Sequence, residues 1–373
     1  MNKNKKLLGW VVVIIVIILI VIVATNGSNK VSDTNSEIKI GSILILSGEG
    51  ATWGESAKNG IDMAVEEVNN NGGVNGKKLV VTHEDNASEP AKAVSAFQKL
   101  TNSDKVKFII GPNWSNSGVP LIDLAMQNKV VIISPSLGVK EFNEANKYLF
   151  NTWPHDFLLS RKLADYVFEK GHRNVAVFGA NEVWVKDQTK NFVERFKELG
   201  GKIAFTYEPL TTETDVRTQV LKVKNDKSID AIVMTTDGYS LTHVVAKQLK
   251  QMSVGLPMFS ITIDSKILSD CGIACDNMIM LSFLTPTKNF RDQYVKKFNR
   301  QVEIGADSAY DAVMMLAKAI EETNEEDVDS VAKYIASITE YNGASGKLTS
   351  DGKRAFTKPY IVQKIMNGVA ETI

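Results

Sequence analysis

The chain has 373 residues, 43 basic and 43 acidic side chains, 44% hydrophobic and 8% aromatic residues. At roughly 150 residues per domain this length predicts about two domains, and hydrophobic and charged fractions near the globular average exclude a disordered chain and a multi-span membrane protein. The even charge balance excludes a generic nucleic-acid binder, which carries a basic excess.

In chain order, a basic end (residues 1–6, with Lys3, Lys5 and Lys6) precedes an 18-residue apolar run from Leu7 to Ala24, diluted only by Gly9. A helix of that length rises about 27 Å, close to the ~30 Å hydrocarbon core of a bilayer. The run therefore reads as a transmembrane anchor with its lysines cytoplasmic and everything after it outside the membrane. The competing reading is a cleavable signal, whose apolar region usually spans about 7–15 residues and ends in small residues. No cysteine lies near the end of the run, so a lipoprotein-type thioether anchor is excluded. Residues 25–37 are polar and aperiodic, as in a flexible linker. Residues 38–373 alternate short apolar runs with amphipathic stretches. Ile38 to Leu46 reads as a strand, and Ile61, Ala64, Val65 and Val68 fall at helical spacing. The unit recurs at Leu79–Thr82 with Ala91–Leu100, at Phe108–Gly111 with Val119–Met126, and at Val130–Ile133. Such βα repeats build a parallel sheet.

A second series starts at Pro154-His155-Asp156, with a helix burying Leu159, Leu163 and Val167 and a strand at Val175–Phe178. Next come a helix burying Phe192 and Phe196, a strand at Ile203–Tyr207, a helix over Val216–Val223, a strand at Ala231–Met234, and a helix carrying Leu241, Val245 and Leu249. This predicts a second α/β lobe. The helix Ala306–Glu322 and a last strand at Tyr360–Ile365 add to sheets already built. Cys271 and Cys275 are the two cysteines; an oxidising compartment permits a local bridge, and two buried thiols fit the spacing equally.

Catalytic signatures are missing: the chain contains no P-loop, His-Glu-x-x-His or Gly-x-Ser-x-Gly. Its four histidines are scattered. Gly48, Gly50 and Gly54 open a helix after the first strand, and Glu84-Asp85 close the second, a layout like a dinucleotide site. Their spacing, G-x-G-x-x-x-G, is wrong for one, and Glu49 opposes a pyrophosphate. No enzyme activity, cofactor or metal is expected. Ligands of open α/β sheets lie beyond the carboxyl ends of the strands, where Gly111 to Ser117 and Ser134 to Gly138 offer hydroxyls and amides suited to a carboxylate. Helix capping is the plainer role for Ser115 and Ser136.

These loops carry a resemblance. Ile40-Gly41 to Ser47-Gly48, Trp53-Gly54, Val68-Asn69-Asn70-Asn71-Gly72-Gly73, Ile109-Ile110-Gly111, Ser115, Ile132-Ile133-Ser134-Pro135-Ser136 and Ala309-Tyr310-Asp311-Ala312 together resemble the leucine/isoleucine/valine-binding proteins. These are type I periplasmic substrate-binding components of ABC transporters. The resemblance implies two doubly wound lobes around a ligand cleft, with lobe 1 formed by 38–155 and 283–348 and lobe 2 by 156–282 and 349–373. It implies ligand capture by hinge closure and delivery to an ABC permease, with a branched-chain or other apolar amino acid as ligand. A small amide, an organic or aromatic carboxylate, and a ligand-sensing ectodomain are the alternatives.

By position, Ser115 would hold the ligand carboxylate and the Ser136 carbonyl the α-ammonium. Trp53, Asn113, Trp114 and Trp184 would line the pocket. Asp237 and Tyr239 would face it from the second lobe, and Asp264 is the candidate acid for the ammonium, which is costly to bury unpaired. Gly138 stands where the family commonly carries a threonine that bonds both ends of an amino acid. The three tryptophans favour an aromatic or extended apolar ligand or a smaller cavity.

Overall fold

A computed structural model describes residues 37–236, 241–324 and 327–373. The expected basic end and apolar anchor, the linker as far as Ser36, and the candidates Asp237 and Tyr239 lie outside the described residues. No helix among the described residues is long and apolar enough to cross a membrane.

The first strand, β1 (Glu37–Leu44), alternates at its start, and from Ile40 to Ile45 every residue is buried. That is the pattern of a parallel strand covered on both faces. It leads to α1 (Ala51–Asn70), β2 (Lys78–Asp85), α2 (Pro90–Gln98), β3 (Phe108–Ile110), the single turn α3 (Ser115–Gly118), α4 (Ile122–Asn128), β4 (Val131–Ser134), α5 (Lys140–Ala145) and β5 (Leu149–Asn151). The next run is α6 (Asp156–Glu169), β6 (Asn174–Phe178), α7 (Val183–Glu198), β7 (Lys202–Tyr207), α8 (Arg217–Asn225), β8 (Ala231–Met234), α9 (Leu241–Gln251), β9 (Met258–Ile261), α10 (Ser265–Cys271) and β10 (Ile279–Ser282). After these come α11 (Lys288–Phe298), α12 (Ala306–Glu322), α13 (Val328–Ser337), β11 (Glu340–Gly343), β12 (Gly346–Ser350), β13 (Phe356–Thr357), β14 (Ile361–Met366) and β15 (Val369–Thr372).

Two main sheets result. The first is parallel in the order β2-β1-β3-β4-β5, and the second runs β7-β6-β8-β9-β10 in parallel before β14 and β15 extend it antiparallel. The parallel parts share one winding: each turns back on itself after its second strand and then grows the other way. The helix α12 returns to the first sheet and packs across α1, so closely that a Cβ at Gly60 would lie 2.0 Å from the Ala306 carbonyl oxygen. A small sheet, β11-β12-β13, joins the same half. The buried Asp311 carboxylate receives the N–H groups of Ala344 and Ser345 at 2.7 and 2.9 Å, and Ala355 bridges to Asn151.

The small sheet was not expected from the sequence, nor were α5 and β5. Pieces this short hold less than two turns of helical or strand periodicity. The expected lobe boundary between residues 348 and 349 falls inside β12. The expected helix Ala91–Leu100 ends at Gln98 and widens into a π turn over Lys99–Ser103.

The chain passes between the main sheets three times, at 152–155, 283–287 and 358–360, and Trp153 is where the passages meet. The Phe283 ring stands edge-on to its indole at 6.2 Å, the Lys358 ammonium lies 4.8 Å from the ring centre, and the indole N–H donates to Asp156 Oδ1 at 2.8 Å. Lys358 also pairs with Asp307 at 3.3 Å, both side chains being wholly buried. Cys271 and Cys275 form a disulfide at the end of α10.

Candidate functional site

A doubly wound sheet opens a crevice where its strand order reverses, because the loops on either side lead to helices on opposite faces. Here the reversals fall between β1 and β3 and between β6 and β8. The loops after β1, β3 and β4 bring Trp53, Asn113, Trp114, Ser115 and Ser136 to one wall of a cavity, and the loop after β6 brings Glu182 and Trp184 to the other. Six of the ten site residues expected from the sequence thus share one cavity.

The cavity is walled by aromatics and floored by amides and hydroxyls. Trp53 and Trp114 meet edge to face at 6.1 Å and 89°. Asn113 is fully buried and spends its amide on the scaffold: its Oδ1 accepts from Ile45 N–H at 3.4 Å and its Nδ2 donates to Ser136 Oγ at 3.3 Å. Ser136 Oγ in turn donates to the Asn113 carbonyl at 3.0 Å. Ser115 differs, since its Oγ is buried and has no hydrogen-bond partner among the described residues. It caps nothing, contrary to the plainer role considered for it. Glu182 caps α7, its carboxylate accepting the N–H groups of Trp184 and Val185 at 2.8 and 3.2 Å. The room left for the centre of a water molecule is about 20 Å³; a single water needs roughly 10–15 Å³ of such space. An amino acid therefore enters only after the walls part.

Gly138 and Asp264 do not line the cavity. Gly138 lies under Asp156, whose backbone N–H donates to the Gly138 carbonyl at 3.1 Å. Asp264 caps α10, accepting Ile267 N–H at 2.7 Å, and burial raises its pKa. The Trp53 indole N–H faces that carboxylate without completing a well-formed hydrogen bond. Behind Trp53, Glu303 approaches from the other half. Its carboxylate accepts Ser265 N–H at 3.4 Å, and burial, with the nearby Asp264 charge, pushes its pKa up to about 7. Sequence reasoning missed Glu182, Asp156 and Glu303; Glu182 lies outside the usual N-cap set of Ser, Thr, Asp, Asn and Gly, and for the other two the chain holds no local signal.

The glycine loop that mimics a dinucleotide site is occupied by its own protein. Asp85 accepts Leu46 N–H, Ser47 N–H and the Ser47 hydroxyl at 2.9, 3.2 and 2.5 Å, so both of its oxygens are engaged in holding the loop after β1. Among the described residues no group of three or more His, Cys, Asp or Glu side chains could hold a metal ion.

The sequence pattern of the periplasmic binding protein family matches residues 37–368. The Leu/Ile/Val-binding protein BraC3 of Rhizobium johnstonii is 27% identical over 327 residues, covering 84% of this chain and 88% of the relative. The crystal structure of the branched-chain amino acid transporter substrate binding protein LivJ of Streptococcus pneumoniae, in complex with isoleucine, superposes with a TM-score of 0.83 at 26% identity, covering 91% of this chain and 99% of that one. A leucine binding protein of Thermotoga maritima shares the fold with a TM-score of 0.83 at 23% identity over 90% of this chain and 97% of its own. The chain belongs to the periplasmic binding protein family.

Proposed function

We propose that this chain is an extracytoplasmic solute-binding protein that captures a small carboxylate with an apolar body, first of all a branched-chain amino acid, and presents it to an ABC importer. Members of the family bind solutes and are not enzymes, and the family works outside the cytoplasm. In this reading residues 37–357 without 156–282 form one lobe and residues 156–282 with the carboxyl-terminal hairpin form the other. The run Leu7 to Ala24 tethers the protein to the membrane.

The observation that carries the reading is Ser115. A buried hydroxyl without a partner is expensive, and this one sits in an aromatic-walled cavity at the switch point of two sheets. A ligand carboxylate supplies the missing acceptor. Asp264, whose carboxylate the Trp53 indole N–H faces, is the acid that would pair an ammonium once the cleft opens to admit it. The indole walls favour a second ligand class, an aromatic carboxylate with no ammonium.

A thermal-shift titration of the full chain and of Ser115→Ala with L-leucine, L-isoleucine and benzoate tests the proposal. The wild type is expected to gain about 2.7 kcal/mol at one hundred times its dissociation constant. Ser115→Ala is expected to bind about tenfold more weakly, the loss of one hydrogen bond to a charged group, with its ligand-free melting temperature unchanged or raised. A shift from benzoate and from neither amino acid replaces the first ligand class by the second. Equal affinity of the two proteins for the ligand that shifts them removes Ser115 from the site.

A further inference from the structure

Trp184 reaches the cavity from the first turn of α7, and a long flat side chain in that place needs something to aim it. Its indole N–H donates to Asp156 Oδ2 at 2.7 Å, while Asp156 Oδ1 accepts the indole N–H of Trp153 at 2.8 Å. One buried carboxylate therefore holds two tryptophans, one lining the cavity and one at the junction of the three chain passages. The whole unit is pressed against the loop after β4. A Cβ at residue 138 would lie 2.0 Å from Asp156 Oδ2 and 2.4 Å from Trp184 Nε1, so residue 138 must be glycine for the unit to seat. Its backbone is not in the left-handed region, so conformation does not demand glycine there.

We infer that Asp156 is a positioning residue that fixes the Trp184 indole over the ligand and couples it to the Trp153 hinge, and that Gly138 is the seat this pair occupies when the cleft closes. The inference rests on the ligand cleft proposed above. It also accounts for the empty side-chain position at 138: the space is taken by a carboxylate and an indole edge from the opposite wall, which makes Trp184 the recognition surface on that side. Both oxygens of Asp156 are engaged by N–H donors of neutral rings, so Asp156→Asn turns one acceptor into a donor facing another donor.

The test uses the full chain labelled with ¹⁵N at tryptophan, together with Gly138→Ala, Asp156→Asn and Trp184→Phe. In the ligand-free protein, exchange of the Trp184 indole hydrogen is expected to quicken about tenfold or more in Asp156→Asn and Gly138→Ala, the consequence of losing one charge-assisted hydrogen bond. L-leucine affinity should fall by about the same factor in both, and in a Trp184→Phe background Asp156→Asn should weaken it by no more than about twofold. Unchanged exchange in both variants overturns the inference, as does an Asp156→Asn effect that persists in full without the indole N–H. If the wild type does not bind L-leucine, the ligand proposal fails by itself while the exchange measurement still decides the role of Asp156.

Discussion

Burying a carboxyl group in a low-dielectric site favours its protonated form, and three carboxyl groups here respond strongly. Burial raises Asp156 and Asp311 to about 6 and Glu303 to about 7. Glu303 is the informative one, because its neighbours Asp264 and Ser265 belong to the other side of the cleft. Between pH 4.5 and about 7 the folded chain keeps a proton on Glu303 that the unfolded chain has released. Stability from this group is therefore fully present below pH 4.5, falls as pH rises through about 7, and is flat above. Glu303→Gln keeps the size and the acceptor for Ser265 N–H while removing the titration. It is expected to match the wild type at pH 5 and to exceed it at pH 8 by on the order of 1–3 kcal/mol; urea unfolding of both proteins at the two pH values measures this, and an equal gap at both would count against it. This residue shows the limit of reading a sequence at this scale. Ser115 and Trp184 stand in the first turns of helices whose position after a strand could be read along the chain, whereas Glu303 meets Asp264 only because the second passage, at 283–287, carries the chain back to the first half.

At the scale of elements, the long periodic segments were legible. The strand Ala231–Met234 and the helix Ala306–Glu322 have the bounds expected of them, because each fills a whole strand or several turns with buried apolar residues. The short pieces near the passages were not legible, since their stability comes from contacts with distant segments. Lys358 is such a contact. It lies beyond β13 in the third passage, pairs with Asp307 in the first turn of α12, and covers the Trp153 ring of the first passage. Removing one partner of a buried pair strands the other charge, at a cost of roughly 3–5 kcal/mol. Lys358→Met is expected to lose stability in that range in urea unfolding. The double variant Lys358→Met/Asp307→Asn should recover most of the loss, because no charge is then left unpaired; equal losses in the single and double variants would mean that packing against Trp153, not the pair, is what the lysine supplies.

The whole molecule is two similar windings laid through one another. Length alone predicts two domains, and a cut near the middle of the sequence would seem to separate them. The sheet order forbids it. The first sheet needs α12, which packs on α1 from residues 306–322, and the second needs β14, which pairs with β10 from residues 361–366. A chain ending at Ser282 keeps every parallel strand of both sheets, yet exposes the α1 face at Ile61, Ala64 and Val68 that α12 buries and leaves β10 as a bare edge. An unpaired edge and an uncovered apolar face together promote association rather than a stable monomer. Truncation after Ser282 is therefore expected to abolish the cooperative thermal transition of the full chain and to yield aggregates in size-exclusion chromatography. Ligand would not rescue it, although all seven cavity-lining residues lie before the cut. Two independent transitions from the truncated chain would instead mean that each winding closes its own core, and that the later segments serve the hinge alone.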